Sequence, residues 1–277
     1  MKLLMKRLFS IFVTLLLAAG YLSAQEYYDE PVYEPGEKAV YNLYFNWGFI
    51  WVHAGDCHFR VQNKKVNSTP AWALLVAGST TSTFDKMYTI RDSFEAYVNP
   101  ATQKPIYYKE DKHENSYESH LSYHYDYVSD GANVEMRKNR KGKLKEKQIK
   151  LDAKTYDLIA SCYHFRNLNT DDLKQNQVVP FNMVFDDDIY NLGLTFKGRT
   201  TITLKNGDQY RALKFMPKLI TGDLFKDEDD MCIYVTDDKN HIPLMIEAKI
   251  KVGSVKAMLS SVSKHKYPLT SYIGKKK

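Results

Sequence analysis

Lys38-Ala39-Val40-Tyr41-Asn42-Leu43-Tyr44-Phe45-Asn46-Trp47 is the stretch that decides the fold of this chain. In an extended backbone, Tyr41, Leu43, Phe45 and Trp47 share one face, and Val40, Asn42, Tyr44 and Asn46 share the other. Side chains alternate across a strand, so a period of two marks a half-buried strand. The same period recurs in 49–61, 71–79, 93–98, 105–109, 117–127 and 133–138. It returns in 192–204, 209–216, 231–236, 242–251 and 255–262. Tyr, Val, Ile, Phe and Thr fill these runs, as a pleated, half-buried surface favours.

The residues between the runs are turn formers. Asn206-Gly207 between two alternating stretches is a strong hairpin signal, and Asp237-Asp238-Lys239-Asn240, Val252-Gly253-Ser254 and Asn139 to Lys143 mark further tips. One segment departs from period two. Residues 152–168 place Tyr156, Ile159, Ala160 and Tyr163 at helical spacing, with Leu158, Cys162 and Phe165 on an adjacent stripe. Asp152 is the expected N-cap, and apolar residues on more than half the girth predict a mostly buried helix. The expectation is a mainly β fold: a large antiparallel curved sheet or β-barrel-like structure with one main packed helix near 152–168. Long sheets tend to close or be covered because open edges recruit other strands. No repeat or composition shift divides the chain, and 171–179 is the expected surface loop.

The N-terminus predicts export. Lys2, Lys6 and Arg7 precede an apolar run of about a dozen residues, and Leu22-Ser23-Ala24 supplies a small-residue cleavage site before Gln25. The run is short of the roughly 20 residues that span a bilayer. The reading is a signal peptide over 1–24, then a single β-rich domain over 25–277, periplasmic or otherwise exported, with no membrane span after cleavage. Removing three basic residues takes the formal charge from +6 to +3, too mild to suggest a nucleic-acid partner. Cys57, Cys162 and Cys232 are an odd set with no metal-ligand spacing. They are expected to be free, buried thiols.

These residues carry a resemblance. Gly36-Glu37-Lys38-Ala39-Val40-Tyr41 is followed by Trp47-Gly48-Phe49-Ile50 and Ala54-Gly55. Further on stands Tyr156-Asp157-Leu158-Ile159-Ala160-Ser161 with Tyr163 and Arg166. Then come Tyr234-Val235-Thr236-Asp237-Asp238, His241-Ile242-Pro243 and Val252-Gly253-Ser254-Val255. In order and spacing, from about Tyr33 to Leu259, the chain resembles the exported bacterial proteins grouped as domain of unknown function 3108. Tyr234 stands where many relatives would carry Trp. The resemblance implies an exported β-rich domain and no particular activity. In outline such domains are similar to envelope lipoprotein carriers, whose curved sheet wraps helices around an apolar cavity; that likeness is of fold only.

Patterns that suggest catalysis lose to structural readings. Ser261-Val262-Ser263-Lys264 has the Ser-x-x-Lys form but sits in an expected strand without its partner motifs. His120 and His124 lie in an alternating run, about 13 Å apart at ~3.3 Å per residue, too far to share a metal. The acidic runs 186–188, 227–230 and 237–238 lack the order of a calcium loop. The basic run from Arg137 to Lys150 lacks interleaved aromatics and reads as a solvated hairpin. No catalytic residue, metal site or cofactor is therefore expected.

The expected role is non-catalytic: holding an apolar or amphipathic ligand, such as a lipid or glycan fragment, in a cavity between the concave sheet and the Tyr156–Tyr163 face of the helix. Trp47 and Trp51 would stand near its wall with Tyr156 and Tyr163, and Arg166 at its mouth. A buried guanidinium needs a partner. Asp157, nine residues upstream, is too far along a helix, so Asp237 or Asp238 is expected, and an anchoring role for Arg166 competes with ligand binding. The alternative is an envelope scaffold or assembly protein that binds another protein through a strand edge or the basic hairpin.

Overall fold

The computed structural model describes residues 27–47, 50–217, 231–249 and 254–276, with Trp47 described by its backbone alone. The expected signal peptide, the 227–230 acidic run and the 252–253 turn lie outside these residues.

Eight strands form the first part of the chain: β1 (Lys38–Trp47), β2 (Ile50–Val66), β3 (Thr69–Thr80), β4 (Arg91–Val98), β5 (Pro105–Glu114), β6 (Tyr117–Val128), β7 (Gly131–Arg140) and β8 (Lys143–Asp152). A two-residue strand β9 (Thr155–Tyr156) leads into the helix α1 (Leu158–Arg166). The chain continues through β10 (Val178–Phe185), β11 (Asp188–Thr203), β12 (Asp208–Pro217), β13 (Met231–Thr236), β14 (Pro243–Lys249), β15 (Ser254–Ser263) and β16 (Tyr272–Lys275). All belong to one sheet in the order β8-β7-β6-β5-β4-β3-β2-β1-β15-β14-β13-β12-β11-β10-β9, with β16 added beside β12. Every pairing is antiparallel except β9 with β10.

The sheet curls until its ends meet. Bulges at Leu43/Tyr44 and Phe196/Gly198 interrupt the register, and bulges bend a strand and tighten its twist. Gly55 lies opposite the first bulge, where a Cβ would fall 2.3 Å from the Ser79 carbonyl oxygen, so no other residue fits without backbone movement. Side chains rather than a ladder close the seam between β8 and the β10–β11 hairpin. Lys145 pairs with Asp187 at 2.7 Å, Lys138 with Asp186 at 2.6 Å, and Asn182 donates to Asp152 at 2.6 Å.

The strand expectation holds wherever burial is one-sided. The basic run is the solvated hairpin expected, with β7 and β8 paired around a turn at Lys141-Gly142. The expected 171–179 loop ends at Gln177, and β10 follows. The helix is shorter than expected, and its cap is Asp157 rather than Asp152. Asp152 ends β8 and accepts from Lys154 N and Thr155 Oγ1, a turn that leads into β9. Asp157 Oδ1 accepts from Ile159 N at 3.1 Å and Ala160 N at 2.9 Å, satisfying two of the amides that a helix start leaves unpaired.

Hairpins alternate between the two ends of the barrel, and α1 sits at the end of the β2–β3, β4–β5 and β13–β14 turns. It packs on β3, β4 and β10. Ile159, Ala160 and Tyr163 join Val61, Leu74, Val76, Tyr108, Tyr123 and Met136 in the largest core cluster. A second cluster centres on Tyr41, Leu244 and Leu259, and a third on Leu168, Leu194 and Phe215.

Asp157 is fully buried, with Tyr125 Oη donating at 3.3 Å. Burial raises its carboxyl from 3.8 to about 6, against the opposing hydrogen bonds of Ala160 N, Tyr125 and Ile159 N. Between these two values the folded chain holds a proton that the unfolded chain releases. Stability from this group is therefore greatest at low pH and falls as pH rises through the window, by up to about 3 kcal/mol. Asparagine caps a helix as well as aspartate does. Asp157→Asn should thus be more stable than wild type at pH 8 by ~1–3 kcal/mol, with the gap closing by pH 4. Paired urea titrations at the two pH values measure this, and a pH-independent gap would contradict it.

Candidate functional site

The three motif groups converge at the foot of α1. Glu37, just before β1, and Arg166, in the last turn of the helix, form a two-pronged ion pair: Arg166 Nη1 to Glu37 Oε1 at 2.6 Å and Nη2 to Oε2 at 2.9 Å. Arg166 Nε donates to the Asn240 carbonyl at 3.1 Å, and both side chains are buried. The guanidinium lies against the Tyr33 and Tyr163 rings at 5.5 and 5.4 Å, a cation–π arrangement. Burial works against the charge of Arg166, and the Glu37 carboxylate more than offsets it, holding the guanidinium protonated.

The partner of Arg166 is thus Glu37 and not Asp237 or Asp238. Those two serve elsewhere. Asp238 accepts from Thr236 Oγ1, Asn240 N and Ser271 Oγ, fixing the β13–β14 turn, while Asp237 lies 3.5 Å from Arg199 Nε. That turn presents the Asn240 carbonyl to Arg166 and brings His241 Nδ1 2.7 Å from the Arg166 carbonyl. Burial lowers the His241 imidazole below its ordinary range, as expected for a neutral ring that closes a helix end.

The segment before β1 straps the helix from outside. Tyr28 N donates to the Asn167 carbonyl at 2.7 Å, and Val32 N to Asn167 Oδ1 at 2.9 Å. The Tyr27 and Tyr156 rings each stack on His164 with centroids 4.3 Å away. Burial drives the His164 imidazole down to about 4. Tyr33 meets Tyr163 edge-on at 4.7 Å. The Tyr163 face expected to border a cavity is therefore filled by Val32, Tyr33 and the strands beneath.

Space remains on the neighbouring stripe. Leu158 and Phe165 are only half-buried, and Cys162 between them is exposed, although Ser161 and Tyr163 on either side are buried. Surrounding protein pushes the Cys162 thiol up to about 11. The half-buried Cys57 thiol on β2 is raised to about 12 by burial, and Cys162 adds to that rise. Cys57 is the register partner of Tyr41, so the stripe looks across the interior toward the inner face of β1 and β2. Cys162 thus keeps an accessible side chain while burial raises its thiol. Phe165 stands on the same stripe, against Phe181 at 4.7 Å. All three cysteines are free thiols.

Of the five residues expected to meet a ligand, Tyr163 and Arg166 come together in the socket and the five do not form one site. Tyr163 is packed, Tyr156 is half-buried on His164, and Arg166 is engaged by Glu37 and Asn240. Trp51 pairs with Asn46, on the face of the sheet opposite Tyr41 and Leu43, with Lys256 4.8 Å from its ring. The Trp47 side chain lies outside the described residues. Glu37 and Trp47 bracket β1, roughly 30 Å of strand at ~3.3 Å per residue, so the tryptophans and the Arg166 socket occupy opposite ends. Sequence reasoning missed Glu37, Asn167, His164 and Cys162 as parts of this region. Cys162 was legible only as part of the second helical stripe.

His120 and His124 lie on β6 as expected. His120 contacts Asp111 and Glu118, and the His124 ring lies tilted against Tyr107 with centroids 4.6 Å apart. Among the described residues no three His, Cys, Asp or Glu side chains converge as a metal site.

Truncating Arg166 leaves a buried carboxylate alone, which costs about 3–5 kcal/mol, whereas replacing both partners with apolar groups is often close to neutral. Arg166→Met should lower stability by that amount, and Glu37→Leu combined with Arg166→Met should recover part of the loss. A double-mutant cycle in urea checks this; strictly additive losses would contradict the pairing.

The comparisons agree with this architecture. The profile of the family described as "Protein of unknown function (DUF3108)" matches residues 40–260. No curated protein matches the sequence. Among solved structures, the beta-barrel-like protein of domain of unknown function DUF1849 from Brucella abortus superposes with a TM-score of 0.55 at 10% identity, over 86% of this chain and 99% of its own. At that identity the likeness is one of fold. The family match covers the helix motif and the β13–β14 motif and begins at Val40, three residues after Glu37, and the chain belongs to the DUF3108 family.

Proposed function

We propose that this domain is a non-catalytic, exported carrier or receptor that holds an apolar or amphipathic ligand, a lipid or glycan fragment, inside the barrel. The observation that carries this reading is the open Cys162 side chain within the curled sheet. A helix installed only to fill the barrel would cover the whole Leu158–Cys162–Phe165 stripe, because interiors are normally close-packed. The lining supports an apolar guest: Leu158 and Phe165 on the helix, and Phe181 and Cys57 on the strands. Ligand pockets are mostly apolar with a few placed polar groups. The polar groups nearest the helix foot are already paired with one another, which favours a ligand held by its chain over one held by its charge. Export rests on the charged, apolar and small-residue order of residues 1–24.

One observation favours an envelope scaffold instead. Strand β8 ends the sheet, pairs only with β7, and exposes every residue from Lys143 to Gln148. A partner strand could add there only by displacing the contacts of Lys145 and Lys147 with Asp187 that close the seam, and lysines themselves protect edges from pairing.

Cys162 reports on both readings. In native protein at pH 9, methyl methanethiosulfonate should modify Cys162, and prior addition of a fluorescent acyl-chain probe should slow that modification at least tenfold. Cys162→Trp should fold with an unchanged circular dichroism spectrum and fail to bind the probe. If Cys162 stays unreactive until the protein unfolds, or reacts at the same rate with saturating probe, the interior carries no such ligand and the scaffold reading leads.

A further inference from the structure

The end of the barrel opposite α1 carries an exposed apolar patch that the helix socket does not explain. At the start of β2, Ile50, Trp51 and Val52 are consecutive and all exposed, Ile50 by 67%. The register sets Ile50 opposite Trp47, Trp51 opposite Asn46 and Val52 opposite Phe45. Ile50 and Val52 therefore project from one face of the hairpin and Trp51 from the other.

The β3–β4 connection stands beside this tip. Thr81 N donates to the Ala54 carbonyl at 2.9 Å, and the Phe84 ring meets Phe45 at 5.9 Å. Just beyond, Met87 and Tyr88 are also exposed. Single exposed apolar residues are ordinary, but a contiguous group at one end marks an interaction site.

We infer that this tip docks the barrel end-on at a lipid bilayer surface. Three features select lipid over a protein partner. Ile50 and Val52 continue the inner face of the sheet that carries Phe45, and Trp51 continues the outer face, so a bilayer that takes in this end of the hairpin covers all three. The composition is aliphatic with Trp and Tyr, the aromatic pair that concentrates at membrane–water interfaces. The charge around it also suits anionic headgroups. Lys86 and Lys249 are exposed at this end, and Lys256 lies against Trp51. Of the described carboxylates at this end, Asp85 pairs with Arg91, Asp56 with His53 and Glu247 with Lys256, while Glu114 accepts from Tyr88 Oη. Apolar insertion and cation attraction together give reversible interfacial binding. The inference stands on the tip alone and does not require an occupied interior.

Flotation of the exported chain with vesicles tests it. Wild type should float with phosphatidylethanolamine–phosphatidylglycerol vesicles and bind phosphatidylcholine vesicles more weakly. Brominated acyl chains should quench a tryptophan signal that Trp51→Phe removes. Ile50→Ser combined with Val52→Ser alters exposed positions only, so it should fold normally and lose at least tenfold in vesicle binding. Its Cys162 should still be protected by the soluble acyl-chain probe, which separates surface docking from interior binding. Wild type that floats with neither vesicle, or a double variant that floats unchanged, overturns the inference. Self-association abolished by the double variant, without vesicle binding, would reassign the tip to a protein contact.

Discussion

The buried pair between Arg166 and Glu37 is the constraint on which the rest of the structure depends. Glu37 opens β1, the strand at the middle of the sheet, and Arg166 closes the only α-helix among the described residues. Neither charge can remain in so dry a place without the other. Once the pair forms, the helix is fixed against β1 at one end, and Asn240 and His241 hold it from the β13–β14 turn. The segment from Tyr27 to Tyr33 then closes over the same end. A helix plugging a curled sheet could otherwise slide or leave; here its foot is tied to three distant parts of the chain.

Tying the helix at its foot leaves its middle free of the need to fill the barrel. One stripe packs on the strands and on Tyr33, and the next presents Leu158, Cys162 and Phe165 to the interior. This division leaves one stripe of the helix that the core does not cover. The accessible stripe lies next to the Tyr163 face, on which periodicity alone placed a cavity and which is packed. The helix start has its own tension, because Asp157 caps α1 without a cation beside it. Its fully buried carboxylate is held by two amides and a tyrosine.

Much of the fold was legible because period two is a direct record of one-sided burial. It identified β1 and β6 within a residue or so, and the Asn206-Gly207 turn closes β11 and β12 as read. It failed where burial is not one-sided. In β8 only Ile149 and Leu151 are buried and the lysines obscure the alternation; in β10, Pro180 and apolar residues on both faces do the same. The helix start was misplaced because Asp152 and Asp157 both precede apolar residues, and only the pairing of β9 with β10 decides which one caps. The partner of Arg166 lay 129 residues away, beyond any local signal. The Gly36-Glu37 motif was visible in the sequence, but its meeting with the helix was not. The tryptophans were grouped with the helix because they are aromatic, and the length of β1 keeps them apart.

Native mass spectrometry of the protein purified from its own cells, under gentle ionisation and again after organic denaturation, tests the central claim most directly. An interior open at Cys162 and built for an apolar guest predicts a lipid-sized mass excess in the native spectrum that disappears on denaturation. A native spectrum showing only the bare chain, or the chain with a stoichiometric second protein and no small molecule, would contradict it.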